Sequence, residues 1–165
     1  MLKRMIQRFR DMTALSALMQ SAERHSQTRG EGRKPAAEHF VLAAIESPDG
    51  AAKDVFLKLG LRPADFADAL REQYKNTLTA IGIDVSDAAF RVSGDAPNSK
   101  GTELPQVTES GSQLLRSMSE QNKGQAFSSA DVLRAIDSVP SGPVHRAFRI
   151  MGTTAEKVAE AAAKD

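Results

Sequence analysis

A stretch of about thirty residues occurs twice in this chain, and the duplication constrains the fold more than any single residue does. Residues 41–47 (VLAAIES) return as residues 132–138 (VLRAIDS). With one extra residue in the following turn, the match continues at four pairs: Phe56 with Phe148, Gly60 with Gly152, Ala67 with Ala159, and Ala69 with Ala161. These nine identities fall within about thirty-three aligned positions, several times what unrelated sequences would give. Repeated supersecondary units each have an apolar face that needs a neighbour, so the repeat predicts two related halves packed together.

Composition places the chain among ordinary globular proteins. It has 165 residues, of which 41% are hydrophobic and 26% charged, and its formal net charge is +1. This balance gives no general attraction to nucleic acid or to anionic membranes. The absence of cysteine excludes thiolate catalysis and disulfides and is compatible with a cytoplasmic location, which we expect. No apolar run approaches the roughly 18 residues that span a bilayer, so we expect a soluble protein.

The first ten residues carry four basic side chains and no acidic one: Lys3, Arg4, Arg8 and Arg10. Such a segment raises the question of a transit peptide or a membrane-surface helix. A signal peptide does not fit, because the segment lacks a continuous apolar stretch and a small-residue cleavage site. Apolar residues at positions 5, 9, 12 and 15 keep helical spacing, which favours the first turns of a long helix ending near Thr28.

The remaining pattern predicts an all-α protein. In the first half we expect helices at about 35–47, 51–59 and from Pro63 to about 80, with Pro35 at a first helical position and Gly60 as a C-terminal cap. In the second half we expect helices at about 108–123, from Ser128 with Asp131 in an imperfect capping arrangement, at 143–151 with an end at Gly152, and after Thr154. The predicted fold is an eight-helix bundle of two four-helix repeats related by a pseudo-two-fold axis, with repeats at 1–78 and 107–165 and a linker at 79–106.

The predicted linker is long for a connection within a compact domain. Alternating apolar residues around Ile81 and Ile83 predict short extended pieces, and residues 93–102 have the composition of a disordered segment. A tether between the two halves is the favoured interpretation, and a dedicated binding loop is the alternative.

Motifs for catalysis are missing from the sequence. The string Gly94 to Thr102 has the letters of a phosphate-binding loop in the wrong order, with no helix behind it. The three histidines, His25, His39 and His145, lie far apart and lack partners at zinc-site spacing, so surface or helix-capping roles are expected. We therefore expect no enzyme activity, no cofactor and no metal.

A cluster of basic residues near the first helix end could bind nucleic acid. Arg24, Arg29, Arg33 and Lys34 lie there, but Glu23 and Glu31 are interspersed among them. One Tyr and no Trp leave little aromatic surface for base stacking. A solvated loop is the better interpretation, and neither a nucleic-acid nor a membrane partner is expected.

The first copy of the repeat resembles the Clp N-terminal domain family. Residues 38–45 read EHFVLAAI, residues 48–50 read PDG, and residues 59–61 read LGL. Members of that family typically show Glu-His-Leu-Leu-Leu-Ala-Leu-Leu, a turn, and a Leu-Gly-Val step, and they show them twice. The resemblance covers residues 10–75 and 107–163, with the second copy degenerate. No nucleotide motif is present, so the chain looks like a stand-alone Clp N-domain-like protein or a fragment of a longer one.

The resemblance implies a protein-binding role. Clp N-domains receive substrates and adaptors for AAA+ unfoldases, so the expected partners are a Clp-type unfoldase, its adaptors or client polypeptides. Some members bind phosphorylated arginine through a Thr and the Glu of the Glu-His pair. Glu38 matches that Glu and Thr13 is a possible match to the Thr. In the second copy Thr108 is the possible match to the Thr, but Ser129 stands where Glu is expected.

Three uses of such a module remain open from sequence. It could deliver clients as an adaptor, sequester ligands as a decoy, or stabilise a protease assembly as an accessory subunit. The competing class is a nucleic-acid or membrane-surface regulator that uses the basic N-terminal segment.

Overall fold

The computed structural model describes residues 2–28, 34–83, 106–122 and 124–163. Within these ranges the chain forms eight α-helices and no β-strand, so the all-α prediction is confirmed. A 3-10 turn, Ile136–Ser138, continues the sixth helix. The helices are α1 (Leu2–Thr28), α2 (Ala37–Glu46), α3 (Ala51–Lys58), α4 (Asp65–Ala80), α5 (Glu109–Gln121), α6 (Ala130–Ala135), α7 (Pro143–Ile150) and α8 (Ala155–Ala163).

The start of α2 differs from the sequence prediction. Pro35 lies before the helix rather than at its first position, because the N-cap is Ala36 with an extended backbone. The amide of Ala36 donates to the ring Nδ1 of His39 at 2.9 Å, which satisfies one of the donors that a helix start leaves open. The capping role expected for an isolated histidine is therefore confirmed at His39, whose side chain is buried.

The predicted glycine caps are present in both halves. Gly60 and Gly152 adopt φ of 70° and 81°, the left-handed region that favours glycine at a helix end. Beyond each glycine the chain closes the same hydrogen bond: the Leu61 amide donates to the Phe56 carbonyl at 2.9 Å, and the Thr153 amide to the Phe148 carbonyl at 2.9 Å.

The residues after α4 form a helix-ending turn. The Gly82 amide donates to the Thr79 carbonyl at 3.0 Å, and the Ile83 amide to the Leu78 carbonyl at 2.9 Å. The extended piece predicted around Ile81 and Ile83 was therefore wrong, because the positive φ of Gly82 lets the backbone turn back onto the last helical carbonyls. Residues 84–105, including the predicted disordered stretch, lie outside the described residues.

Three phenylalanines from α3, α4 and α7 form the centre of the core. Phe56, Phe66 and Phe148 are fully buried. The ring of Phe66 lies 6.2 Å from that of Phe56 and 5.2 Å from that of Phe148, and the rings of Phe56 and Phe148 are 6.2 Å apart. These separations are those at which aromatic pairs attract one another beyond simple burial. Around this centre α4 packs on α7, α3 on α8 and α2 on α6, so the two ends of the chain share one core.

The start of α5 crosses the start of α2 at close range. The Thr108 amide donates to the Pro35 carbonyl at 3.1 Å. A Cβ on Gly111 would lie 2.7 Å from that same carbonyl oxygen and 3.2 Å from the ring of Phe40, so only glycine fits there without a shift of the backbone. This contact fixes the first turn of α5 against the repeat that precedes it.

Candidate functional site

Glu38, the first predicted binding residue, faces the protein interior. Its side chain is only 5% exposed, and its Oε1 accepts the Tyr74 hydroxyl at 2.8 Å. Tyr74 belongs to α4, so the carboxylate links α2 to α4. A ligand that used Glu38 would have to replace this hydrogen bond.

Thr13, the second predicted binding residue, lies on the surface of α1. Its hydroxyl donates to the Phe9 carbonyl at 2.9 Å within the same helix. Thr13 lines a groove of about 710 Å³ between α1 and the α2–α3 turn, and Glu38 is not among the residues that line it. The structure therefore does not bring the two residues into a common groove.

The equivalent positions of the second half have structural roles. The Thr108 Oγ1 accepts the Gly111 amide at 3.3 Å and so caps α5. Ser129, which stands where the repeat predicts Glu, is fully buried and bonded to Asp49. Neither side chain is free in the structure to hold a ligand.

Helix α1 carries apolar side chains on two different faces. Leu18 and Ala22 are buried against the core, whereas Met5, Phe9 and Met12 are 67%, 72% and 72% exposed. At about 100° per residue, the second group points about 100–160° away from the first around the helix axis. The long helix predicted to end near Thr28 is confirmed, but its N-terminal apolar stripe faces solvent.

Two grooves flank α1. Apolar residues line the groove of about 710 Å³, together with positively charged arginines and negatively charged carboxylates. Its carboxylates are already engaged: Glu46 pairs with His25 at 3.1 Å, and Asp49 bonds to Ser129. The second groove, of about 410 Å³, lies between α1 and α5 and is rich in methionine: Met12, Met19 and Met118 line it. Phe127 borders both grooves.

A groove of about 530 Å³, here called the α4–α7 groove, lies where the two halves of the chain meet. From α4 and its final turn come Gln73, Asn76, Thr77, Ala80 and Ile81, and from α7 come Arg146, Arg149 and Ile150. It combines two basic side chains with exposed apolar ones, and among the described residues no acidic one lines it.

One polar group in the α4–α7 groove lacks a partner. Gln73 is 3% exposed, and its Nε2 donates to the Thr77 hydroxyl at 2.9 Å. Its Oε1 is buried without a hydrogen-bond partner. A buried acceptor without a partner costs about 1–3 kcal/mol, and a ligand can donate to this one only after the amide turns into the groove.

Another groove, of about 430 Å³, lies on the other side of α4 and shares Ile150 with the α4–α7 groove. Three carboxylates line it: Asp65, Asp68 and Glu72. Two of them form ion pairs. Asp65 pairs at 2.9 Å with Arg62, which precedes α4, and Asp68 pairs with Arg71 within α4. The two sides of α4 therefore present opposite charge at the junction with α7.

Sequence reasoning did not single out the residues of the α4–α7 groove. Arg146 and Arg149 are three residues apart on a predicted helix. This spacing places both on one face, and it could have indicated a basic surface there. Gln73 gave no signal, because its position in the middle of α4 is also typical of a solvated residue. Its burial depends on α7, which lies some seventy residues further along the chain.

His145, on α7, was expected to be a surface or capping residue and is partly buried. Burial lowers the pKa of its imidazole below the ordinary value, because the charged form loses solvation. The nearby charge of Asp137 opposes this shift.

Among residues 2–28, 34–83, 106–122 and 124–163, no group of three or more His, Asp or Glu side chains is placed to hold a metal ion. No helix in those ranges is both long and apolar enough to cross a bilayer.

No protein-family model matches the chain, and no curated protein matches it.

Proposed function

We propose that this chain is a non-enzymatic protein- and peptide-binding module of the Clp N-domain type. In this proposal its eight helices are two four-helix repeats related by a pseudo-two-fold axis. It acts in the cytoplasm as an adaptor, a decoy or an accessory subunit for an ATP-dependent Clp chaperone or protease. Its partners are a Clp-type AAA+ unfoldase, the adaptors of that unfoldase or its client polypeptides.

The observation that carries the proposal is the match between the ends of α3 and α7. A fully buried phenylalanine lies near the end of each helix, and a glycine with positive φ follows it four residues later. In each, the backbone amide five residues after the phenylalanine returns to its carbonyl at 2.9 Å. Residues 56–61 and 148–153 thus share the buried phenylalanine, the glycine and this hydrogen bond, as two copies of one ancestral unit would.

The contacts between helices also support a two-fold arrangement. A two-fold axis that relates the halves would place α3 on α7 and α4 on α8. It would also turn the contact between α4 and α7 into a contact between α8 and α3. Both contacts are present, and α2 packs on its own counterpart α6. The halves also differ: α6 has six residues and passes into a 3-10 turn, whereas α2 has ten.

The α4–α7 groove supports a binding role. It lies between the two proposed repeats and combines apolar side chains with a few polar groups, as binding sites commonly do. An apolar side chain of a partner would fill the groove, and the polar rim would fix its orientation.

The proposed association is testable with purified components. The chain would be mixed with a Clp hexamer in the presence of a slowly hydrolysed ATP analogue and analysed by sedimentation velocity. Co-sedimentation supports the adaptor or the accessory subunit. Faster degradation of a client in the presence of the chain then favours the adaptor, and an unchanged rate favours the accessory subunit. Client binding without hexamer contact supports the decoy. Absence of both hexamer and client binding contradicts the proposal.

Recognition of phosphorylated arginine by Glu38 and Thr13 is a finer part of this proposal. Because Glu38 is bonded to Tyr74, binding would require the tyrosine to release it. Calorimetry with a phosphoarginine peptide and its unmodified counterpart tests this. Equal affinity for both peptides would remove phosphoarginine from the proposal and leave peptide binding in place.

A second candidate function is that of a membrane-surface or nucleic-acid regulator acting through the start of α1. The observation that favours it is the exposed stripe of Met5, Phe9 and Met12 on a helix whose first ten residues carry four basic side chains. An exposed apolar stripe favours a membrane surface over nucleic acid, because apolar side chains gain energy in the lipid interface.

Deletion of residues 1–10 tests the second candidate. Co-sedimentation with anionic vesicles, and mobility shift with DNA, would be measured at rising salt for the full chain and the deleted chain. Attachment that requires the segment and weakens steeply with salt supports this candidate. Equal behaviour of the two chains contradicts it.

A further inference from the structure

We infer that the α4–α7 groove binds an acidic peptide segment in which an apolar side chain lies between two carboxylates. This inference rests on the proposed peptide-binding function and names the ligand class of one groove. It is carried by the charge of the groove, by the amide of Gln73 and by two exposed isoleucines.

The charge of the groove is positive and uncompensated. Arg146 and Arg149 are exposed on α7, and within the described residues neither forms an ion pair or a side-chain hydrogen bond. Their spacing of three places them on one face of the helix. Each guanidinium can bind a carboxylate through two parallel hydrogen bonds, so the pair matches two acidic side chains of one peptide.

Gln73 provides recognition of the peptide main chain. Its Oε1 is buried in the groove wall with no donor, while its Nε2 is held by Thr77. When the Gln73 amide turns into the groove, a peptide N–H is a donor of the right kind, and every non-proline residue of an extended segment offers one. A free inorganic anion offers no such donor, so this group favours a peptide over an ion.

Apolar contact comes from the two ends of the groove. Ile81 is 67% exposed at the end of α4, and Ile150 is 45% exposed at the end of α7. Both line the groove together with Ala80. An apolar side chain placed between them removes water from all three, which favours binding in proportion to the apolar surface covered.

The acidic groove on the other side of α4 provides the contrast. Among the described residues, Asp65, Asp68 and Glu72 line it and no basic side chain does, so it gives an acidic peptide no cation to bind. Asp65 and Asp68 are already neutralised by neighbouring arginines, whereas Arg146 and Arg149 are not. The uncompensated charge therefore lies on the α7 side, which fixes both the location and the sign of the ligand.

Fluorescence anisotropy with a labelled peptide tests the inference. The probe has the core Asp-Leu-Asp-Leu-Asp with blocked ends, and its matched control has Asn in place of each Asp. The full chain is expected to bind the acidic probe at least about tenfold more tightly, because hydrogen bonds to charged groups are stronger than those between neutral groups. This preference should decrease as salt rises.

Variants locate the binding. The double variant Arg146→Gln/Arg149→Gln is expected to lose at least about tenfold in affinity for the acidic probe. The double variant Arg62→Gln/Arg71→Gln makes the same change of charge on the acidic side and is expected to bind more weakly by less than about twofold, because those arginines are already paired. Gln73→Leu is expected to weaken both probes by the same factor and to leave the salt dependence unchanged. Thermal melts check that each variant is folded.

Three results would overturn the inference. The first is equal affinity for the acidic and neutral probes, and the second is unchanged affinity in folded Arg146→Gln/Arg149→Gln. The third is concentration-dependent self-association that this variant abolishes, because the groove would then take the acidic face of a second copy.

Hexamer binding is measured separately: a chain that binds the hexamer but not the acidic probe contradicts this inference alone. A chain that binds the probe but neither hexamer nor client contradicts the Clp-linked function alone.

Discussion

Ser129 and Asp49, eighty residues apart, hold the two halves of the protein together. The carboxylate of Asp49 accepts the Ser129 hydroxyl and, at 2.8 Å, the Ser129 amide. The Ser129 Oγ accepts in turn the Ala52 amide at 2.9 Å. Ser129 occupies the repeat position that carries Glu38 in the first half, so the second half uses this position to join the start of α6 to the α2–α3 turn.

Ser129→Ala is expected to destabilise the protein by about 1–3 kcal/mol, because it leaves the buried Ala52 amide without an acceptor. Asp49→Asn is expected to cost less, about 0.5–1.5 kcal/mol, since Asp49 is largely exposed and water screens its charge. Urea unfolding at neutral pH measures both. Glu160→Gln, an exposed change of the same kind on α8, is the control and should have almost no effect.

The link between Asp49 and Ser129 should also depend on pH. Burial opposes ionisation of Asp49, but hydrogen bonds from the Ser129 hydroxyl and amide, Ala51 and Ser47 outweigh it and lower its pKa below the ordinary 3.8. A carboxylate with a lowered pKa in the folded state stabilises the protein above its unfolded pKa, and this contribution is lost as the pH falls through the folded pKa. The stability gap between the protein and Asp49→Asn should therefore be constant above about pH 5 and shrink below pH 4. A gap that widens on acidification would contradict the assignment.

Phe148→Ala is expected to destabilise the protein by about 3–5 kcal/mol, because it removes a buried ring and leaves a cavity between Phe56 and Phe66. Phe56→Ala should cost a similar amount, and the double variant less than the sum, because the two rings are in contact. Leu57→Ala is the matched control: Leu57 neighbours Phe56 but is 61% exposed, so its loss should change stability by less than about 0.5 kcal/mol. Thermal unfolding measures all four variants. Additive losses from Phe56 and Phe148 would contradict a shared core.

Gly152→Ala is expected to destabilise the protein by about 1–2 kcal/mol, because its φ of 81° lies in the left-handed region where a Cβ is strained. Gly142→Ala is the control. Its φ of −163° is extended backbone, and a Cβ there would meet only the Pro140 carbonyl oxygen at an ordinary 3.6 Å. Chemical denaturation should separate the two variants by at least about 1 kcal/mol, and equal losses would show that the backbone conformation of Gly152 does not cause the effect.

Tyr74→Phe removes the hydroxyl that donates to the buried Glu38 and is expected to cost about 1–3 kcal/mol. If Glu38 serves mainly to join α2 to α4, Glu38→Gln should lose stability while affinity for client peptides stays within about twofold, since an interior side chain does not contact them. Urea unfolding and peptide anisotropy on the same samples measure the two quantities. A large loss of affinity with unchanged stability would instead support Glu38 as a binding residue.

Much of the helical framework could be predicted from sequence. The apolar spacing gave the elements, and Gly60 and Gly152 gave two helix ends, because positive φ is a local property of glycine. Asp131, three residues after Ser128, was predicted to cap the start of α6, and its Oδ2 accepts the Ser128 amide at 2.8 Å. Each of these features depends on residues fewer than six positions apart.

The candidate sites were harder to predict. Glu38 and Thr13 were paired from the family resemblance, but the structure places one in the interior and the other beside a separate groove. The apolar stripe of α1 was expected to run along one face, yet its first half faces solvent. The position of α1 relative to the core depends on packing between distant segments, which spacing along one helix does not reveal.

The sequence by itself determined that this protein is helical and where most helices begin and end, because caps, turns and apolar periods are set by neighbouring residues. Only the tertiary structure decided which faces meet. It buried Gln73 beside α7, placed Arg146 and Arg149 away from the carboxylates of the described residues, and joined Asp49 to Ser129. Long-range packing sets burial and charge environment, so a residue's chemical role becomes visible only once its distant neighbours are in place.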